Sequence, residues 1–220
     1  MSLELQLLLL AWGTLVGLDL ISVPQMMIAR PIVAGPVAGA ILGDVATGLA
    51  LGVVFELFQY DVLPVGAARY PEYGPATVAA VSAAQAGAGT FGLGFGVLVG
   101  LTTGLLGGVS LHLVHRLNAR AVDAAAPALE AGDPQVLVRL HVAGIMRDAA
   151  RAALVTGVGL ILAQLTRAFL AGAYTLRGVA GLAVAGVAGA LAVGTSWAVI
   201  SMPRAASSRS CAASASVRYT

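Results

Sequence analysis

Six stretches of the chain carry apolar residues almost without interruption, at about residues 3–23, 32–42, 45–65, 77–114, 152–165 and 179–202. Apolarity on every side of a helical repeat marks a helix surrounded by protein core or lipid, with no wet face. A helix rises about 1.5 Å per residue, so crossing about 30 Å of hydrocarbon takes roughly 20 residues. The fourth stretch is therefore long enough for two spans, while the second, about 16 Å as a helix, is too short for one. Arg30-Pro31 and Gly43-Asp44 bound that short stretch, and prolines at 24, 31, 36, 64, 71 and 75 crowd the same region. Proline removes a backbone donor and blocks the preceding helical turn, so the first third is expected to be broken into half-length or re-entrant helices. At membrane depth such segments persist only inside protein or around a water-filled cavity, and in transporters they commonly build the substrate site. The expected fold is all-α, a polytopic membrane helix bundle with broken or re-entrant helices in the first third.

Between residues 116 and 151 the apolar run is interrupted by Asn118, Asp123, Glu130, Gly132, Asp133 and Pro134. This polar connection is expected to lie outside the hydrocarbon. Arg116, Arg120, Arg139, Arg147 and Arg151 fall in it, and Arg204, Arg209 and Arg218 follow the last span; the link before that span holds only Arg167 and Arg177. The bias places connection and tail in the cytoplasm. Residues 1–202 then form the membrane-embedded domain, and residues 203–220, rich in Ser and Ala, a disordered cytoplasmic tail. The apolar run at residues 7–18 follows Glu4 in place of a basic region, without a small-residue cleavage site after it, and is expected to be a retained first span.

Composition narrows the function classes. The chain is 59% hydrophobic and 10% charged, with a mean hydropathy of +0.92, whereas soluble domains carry about 25% charged residues. Its 220 residues leave room for no large catalytic or nucleic-acid-binding domain. All twelve basic residues are arginine, and the net charge of +2 points to no partner. Cys211 has no second cysteine for a disulfide or a metal. His112 and His115 share a helical face but have no carboxylate or cysteine at ligand spacing, and His141 falls in the polar connection. Without a nucleotide loop, nucleophile elbow or zinc motif, neither a cofactor nor a self-contained catalytic apparatus is expected.

Glycine and charge add detail. Gly92, Gly96, Gly100, Gly104 and Gly108 recur every four residues, a ridge where another helix can approach closely inside a bundle or oligomer; Gly13 with Gly17, and Gly35 with Gly39 and Gly43, repeat it more weakly. Ionisable residues at membrane depth are costly and so mark functional candidates, here Asp19, Arg30, Asp44, Glu56, Asp61 and Glu72. As one helix, residues 44–60 would place Asp44, Gly48, Gly52, Glu56 and Tyr60 on one face, a polar groove with open space between its carboxylates. Those carboxylates stand about 18 Å apart, too far to share a proton or a metal, which disfavours a paired-carboxylate hydrolase. Arg30 either pairs with Asp19 or Asp44 or acts on a ligand, and Asp44 either caps a helix or does the same. Glu56, between Phe55 and Leu57, has the fewest structural alternatives. Gln25 can bond a broken-helix carbonyl or a ligand. Glu72, in Tyr70-Pro71-Glu72-Tyr73, suits either a sugar face or an interfacial aromatic belt.

Several ordered motifs fall within this region: Gln25-Met-Met-Ile-Ala-Arg-Pro-Ile-Val-Ala-Gly-Pro36, Leu42-Gly-Asp44, Thr47-Gly48-Leu49, Phe55-Glu56-Leu57 and Leu63-Pro-Val-Gly-Ala-Ala68. Through them residues 18–81 resemble the integral membrane subunit IIC of the mannose/fructose/sorbose-type phosphoenolpyruvate-dependent sugar phosphotransferase systems. A looser likeness continues through residues 124–151, with Leu140-His141-Val142. The resemblance implies a multi-pass permease of the bacterial inner membrane that binds a hexose-like sugar while a phosphohistidine-bearing IIB subunit, itself charged by IIA, donates the phosphoryl group. It implies a IID membrane partner, an oligomer, and no phosphoryl-carrying residue in this chain. Gln25, Asp44, Glu56 and Glu72 would contact sugar hydroxyls, with Asp19 and Arg30 as structural support for the broken helix. The chain departs from the family where Tyr70-Pro71-Glu72-Tyr73-Gly74-Pro75 replaces the usual Pro-Pro-Asp, and little likeness is evident after about residue 165. The alternative is a degenerate member that keeps the fold but serves a regulatory or structural role without transport.

Overall fold

Proline and glycine punctuate the chain where the pattern predicts. The computed structural model describes residues 1–20, 22, 26–60, 70–87 and 89–173. Gln25, Asp61, Cys211, the sixth apolar stretch and the C-terminal tail lie outside them. The elements are α1 (Leu3–Asp19), α2 (Pro31–Leu42), α3 (Val45–Tyr60), α4 (Tyr73–Ala84), α5 (Gly89–Glu130) and α6 (Pro134–Ala173), so the described residues are all-α.

α2 starts on Pro31, whose fixed φ suits a first turn, and stops at Gly43, where φ is +79° and a side chain would be strained. Asp44 then accepts the Thr47 N–H at 3.0 Å, capping α3. With 12 and 16 residues, the two helices reach about 18 and 24 Å, each short of a span. They fold back on each other as a hairpin closed by glycine against glycine. A Cβ on Gly35 would strike the Gly48 carbonyl, and one on Gly48 would strike the Gly35 carbonyl. This corrects the expected groove: Gly48 and Gly52 do share a face with Asp44 and Glu56, but the α2 backbone fills the space. Small residues on both partners let two helices close instead of leaving a channel.

α4 is buried along its whole length and touches every other described helix, as a helix without a charged residue does at the centre of a bundle. The glycine ridge of α5 seats it. Gly92 lies against the Ala84 carbonyl, Gly96 against the Ala80 carbonyl, and Gly100 against the Phe55 ring and Ala80. Further along, Gly104, Gly107 and Gly108 seat residues 70–72, and the Glu72 N–H donates to the Gly104 carbonyl at 2.9 Å. α1 docks on α6 through Gly13 and Gly17, opposite Thr156 and Ala152, and Trp12 Nε1 donates to the Ala34 carbonyl of α2 at 3.1 Å.

α5 and α6 have 42 and 40 residues, about 60 Å each and twice the hydrocarbon thickness. Among the described residues these two are long and apolar enough to cross a membrane. The polar connection is their helical continuation. Asn118 and Asp123 interrupt the apolar run but not the helix, and the chain reverses at Gly132, with φ +79°. Arg147 Nη1 donates to Asn118 Oδ1 at 2.9 Å and ties the two arms together. Arg167, expected in a link after residue 165, lies instead within α6 and donates to the Ser82 carbonyl of α4.

Candidate functional site

The broken helices end around one space. The C-terminus of α1, the N-terminus of α2, the C-terminus of α3, residues 70–75 and His115 of α5 enclose a cavity of about 640 Å³. That is within the range of about 300–1,000 Å³ usual for small-molecule sites.

Asp19, buried at the end of α1, builds the first wall. Its carboxylate accepts the N–H of Met26 at 2.7 Å and of Ala29 at 3.0 Å. The turn it pins holds Met27 at φ +62°, a left-handed conformation that a non-glycine residue keeps only when its surroundings impose it. That turn delivers Arg30 to the start of α2. Arg30 Nε donates to Glu56 Oε1 at 2.7 Å, and Nη2 reaches the same oxygen. The other oxygen, Glu56 Oε2, accepts the Ile32 N–H at 3.1 Å. Glu56 thus places its charge on the unsatisfied, positive N-terminus of α2. Arg30 is paired with Glu56, and neither Asp19 nor Asp44 is its partner.

The pair remains open to the cavity, with the Arg30 side chain 45% and the Glu56 side chain 15% exposed. A guanidinium has five donors, and each carboxylate oxygen has two acceptor positions, so hydrogen-bonding capacity is left over for a ligand. Gln59, Tyr60, Tyr70 and His115 add further polar groups to the lining. Tyr73 contributes a fixed aromatic wall, its ring 6.2 Å from that of Phe58 and 5.9 Å from that of Phe55.

Glu72 also lines the cavity, yet its carboxylate is turned inward and taken. Arg151 of α6 binds it with both terminal nitrogens, Nη1 to Oε2 and Nη2 to Oε1, the latter at 3.1 Å. Arg151 Nε donates to Asp148 Oδ1 at 2.7 Å, and the Ser22 hydroxyl donates to Asp148 Oδ2 at 2.6 Å. All three charged side chains are at most 4% exposed. Sequence reasoning missed Arg151 and Asp148 because both fall in the polar connection. A signal existed: the two are three apart on one helix face, among Ala149, Ala150, Ala152 and Ala153, a strange place for solvated charges.

Asp44 stands at the far end of α3, where it accepts the Thr47 N–H and, at 3.4 Å, Gln85 Nε2 of the α4 C-cap. The structure therefore brings Arg30, Glu56 and Glu72 to one cavity, supports it through Asp19, and leaves Asp44 apart. No group of three or more metal-ligating side chains occurs among the described residues.

The family model for the sorbose-specific IIC component of the phosphotransferase system matches residues 5–207. The chain belongs to this family. It is 26% identical over 125 residues to the mannose-specific EIIC component of Escherichia coli K12, covering 57% of this chain and 46% of that one. Against the sorbose-specific EIIC component of Lacticaseibacillus casei it is 25% identical over 152 residues, 69% and 54% of the two chains. Against that of Klebsiella pneumoniae it is 30% identical over 116 residues, 53% and 43%. The chain thus spans about half the length of the curated relatives it matches. In three dimensions it resembles a chain of the mannose transporter ManYZ, solved by cryo-EM with microcin E492. The TM-score is 0.61 at 19% identity, over 100% of this chain and 89% of that one. A second solved membrane protein gives 0.65 at 18% identity, over 100% and 90%. The motifs of residues 25–68 therefore identified the family correctly, and the IIC chain is a helical membrane protein.

Proposed function

We propose that this IIC chain is the sugar-specific membrane subunit of a phosphoenolpyruvate-dependent phosphotransferase system and that its cavity holds a hexose-like sugar. The observation carrying this reading is the open Arg30–Glu56 pair in a cavity that Tyr60, Tyr70 and Tyr73 also line. A sugar offers hydroxyls around its rim and apolar C–H faces. Charged groups with spare donors and acceptors answer the first, and aromatic rings the second. Glu56 and Arg30 bind hydroxyls, Tyr70 and Tyr73 flank the ring, and Gln25 joins them. Glu72 serves the wall, and Asp44 stays outside this cavity.

In this mechanism the cavity orients and desolvates one hydroxyl. A IIB phosphohistidine supplies the phosphoryl group: the new P–O bond forms as the P–N bond breaks, and Glu56 accepts the hydroxyl proton. The chain sits as a multi-pass protein in a bacterial inner membrane. Exposed Arg116, Arg120 and Arg139 on the arms of α5 and α6 support a cytoplasmic side there, within reach of IIB. Exposed Leu105, Leu113, Leu154 and Ile161 on the same helices meet lipid and a IID subunit in an oligomeric assembly.

Native mass spectrometry after co-expression with IID and IIB of the same host tests this reading. A IIC–IID complex that retains hexose is the expected result. A chain that stays alone and empty would instead mark a family member with a structural or regulatory role.

A further inference from the structure

Arg151 lies outside the motifs of residues 25–68, at the end of the looser likeness over residues 124–151, yet its side chain is heavily engaged beside the cavity. Its guanidinium spends both terminal nitrogens on Glu72, its Nε on Asp148, and Nη2 also reaches the Gly17 carbonyl at 3.4 Å. One side chain thereby joins α6 to the end of α1 and to residues 70–73. Tyr73 opens α4 with its ring against Phe55 and Phe58, but residues 70–72 before it have fewer holds among the described residues. Residues 70–72 are not helical, and they lie against the side-chain-free part of α5, where Gly104, Gly107 and Gly108 offer no side chains to interlock. Among the described residues one backbone bond, from Glu72 to the Gly104 carbonyl, fixes their height. Lateral placement falls to the Glu72 carboxylate, which a planar bidentate fork holds in both position and orientation.

We infer that Arg151 is a positioning residue of the sugar cavity: through Glu72 it sets where residues 70–72, and with them the Tyr70 wall, stand. The inference rests on the sugar-binding reading above and deepens it. A plain cation would neutralise Glu72 equally well, so the fork itself is the feature at stake. Lysine keeps the charge but loses the paired geometry. Arg151→Lys should fold, yet leave residues 70–72 loosely placed.

The test uses the full chain purified with its IID partner, comparing wild type, Arg151→Lys and Tyr70→Ala, with hydrogen exchange of peptides read by mass spectrometry alongside binding of labelled mannose and sorbose. In Arg151→Lys, exchange is expected to rise at least tenfold over residues 70–76, while the α5 peptides stay protected. Sugar affinity is expected to fall at least fivefold. Tyr70→Ala should weaken binding too, and combining it with Arg151→Lys should add little, since both act on one wall. Unchanged exchange over residues 70–76 would overturn the inference, as would wild-type affinity in Arg151→Lys or fully additive losses in the double variant. If wild type binds neither sugar while exchange rises selectively, the wall-setting role of Arg151 stands and the sugar-binding reading falls.

Discussion

Among the described residues two arginine–glutamate pairs meet the same cavity, and they differ in almost everything but composition. Arg30–Glu56 joins the start of α2 to α3 and stays partly exposed, while Arg151–Glu72 joins α6 to the start of α4 and is sealed. Water screens the first pair and weakens it, so the pair alone is worth about 0–1 kcal/mol and its atoms can trade partners with a ligand. The second has lost its hydration, so its members depend on each other, and removing one leaves a buried charge. In the proposed function, recognition falls to the weak pair and architecture to the strong one. A membrane-depth carboxylate is a functional hypothesis, but its burial and partner decide which function.

The comparison can be broken most severely by removing the frame both pairs share. Gly100→Leu drives a side chain into the Phe55 ring and Ala80, and is expected to abolish folded protein, read as loss of the monodisperse peak in detergent size exclusion. Arg151→Met should destabilise the chain by about 3–5 kcal/mol, because Glu72 and Asp148 lose their counter-charge. Thermal unfolding in detergent checks this, and the variant Glu72→Leu/Asp148→Leu/Arg151→Met, which leaves no buried charge unpaired, should recover much of that loss. Ser22→Ala should cost about 1.5–3 kcal/mol by the same assay, the value of one hydrogen bond to a charged group, here the Asp148 carboxylate. Glu56→Gln should cost no more than about 1 kcal/mol, since it removes a screened pair and a helix-end charge from a partly exposed site. A loss from Glu56→Gln as large as that from Arg151→Met would erase the distinction between the pairs.

Much of this was legible from residue types alone. Pro31, Gly43 and Asp44 carry local conformational rules, so the α2–α3 hairpin could be read at its ends. The every-fourth glycine ridge required a close neighbour, and α4 with residues 70–72 supplied it. What failed were matters of pairing across the chain. Gly48 and Gly52 announced room on the Glu56 face but not that α2 would occupy it. Arg30 was expected to pair with Asp19 or Asp44 or to act on a ligand, and the turn pinned by Asp19 delivers it to Glu56 instead. Glu72 and Arg151 lie 79 residues apart, and no local pattern joins them. Arg151 looked solvated because polarity in sequence was taken as a break in the bundle, when α5 and α6 run through it as continuous helices.

The central claim is that the open pair recognises sugar. Equilibrium binding of labelled mannose and sorbose should be compared between wild type and Glu56→Gln, each purified with IID and matched for folded amount. The account predicts at least a tenfold loss of affinity in Glu56→Gln, with its unfolding temperature nearly unchanged. Equal affinity in the two proteins would contradict it.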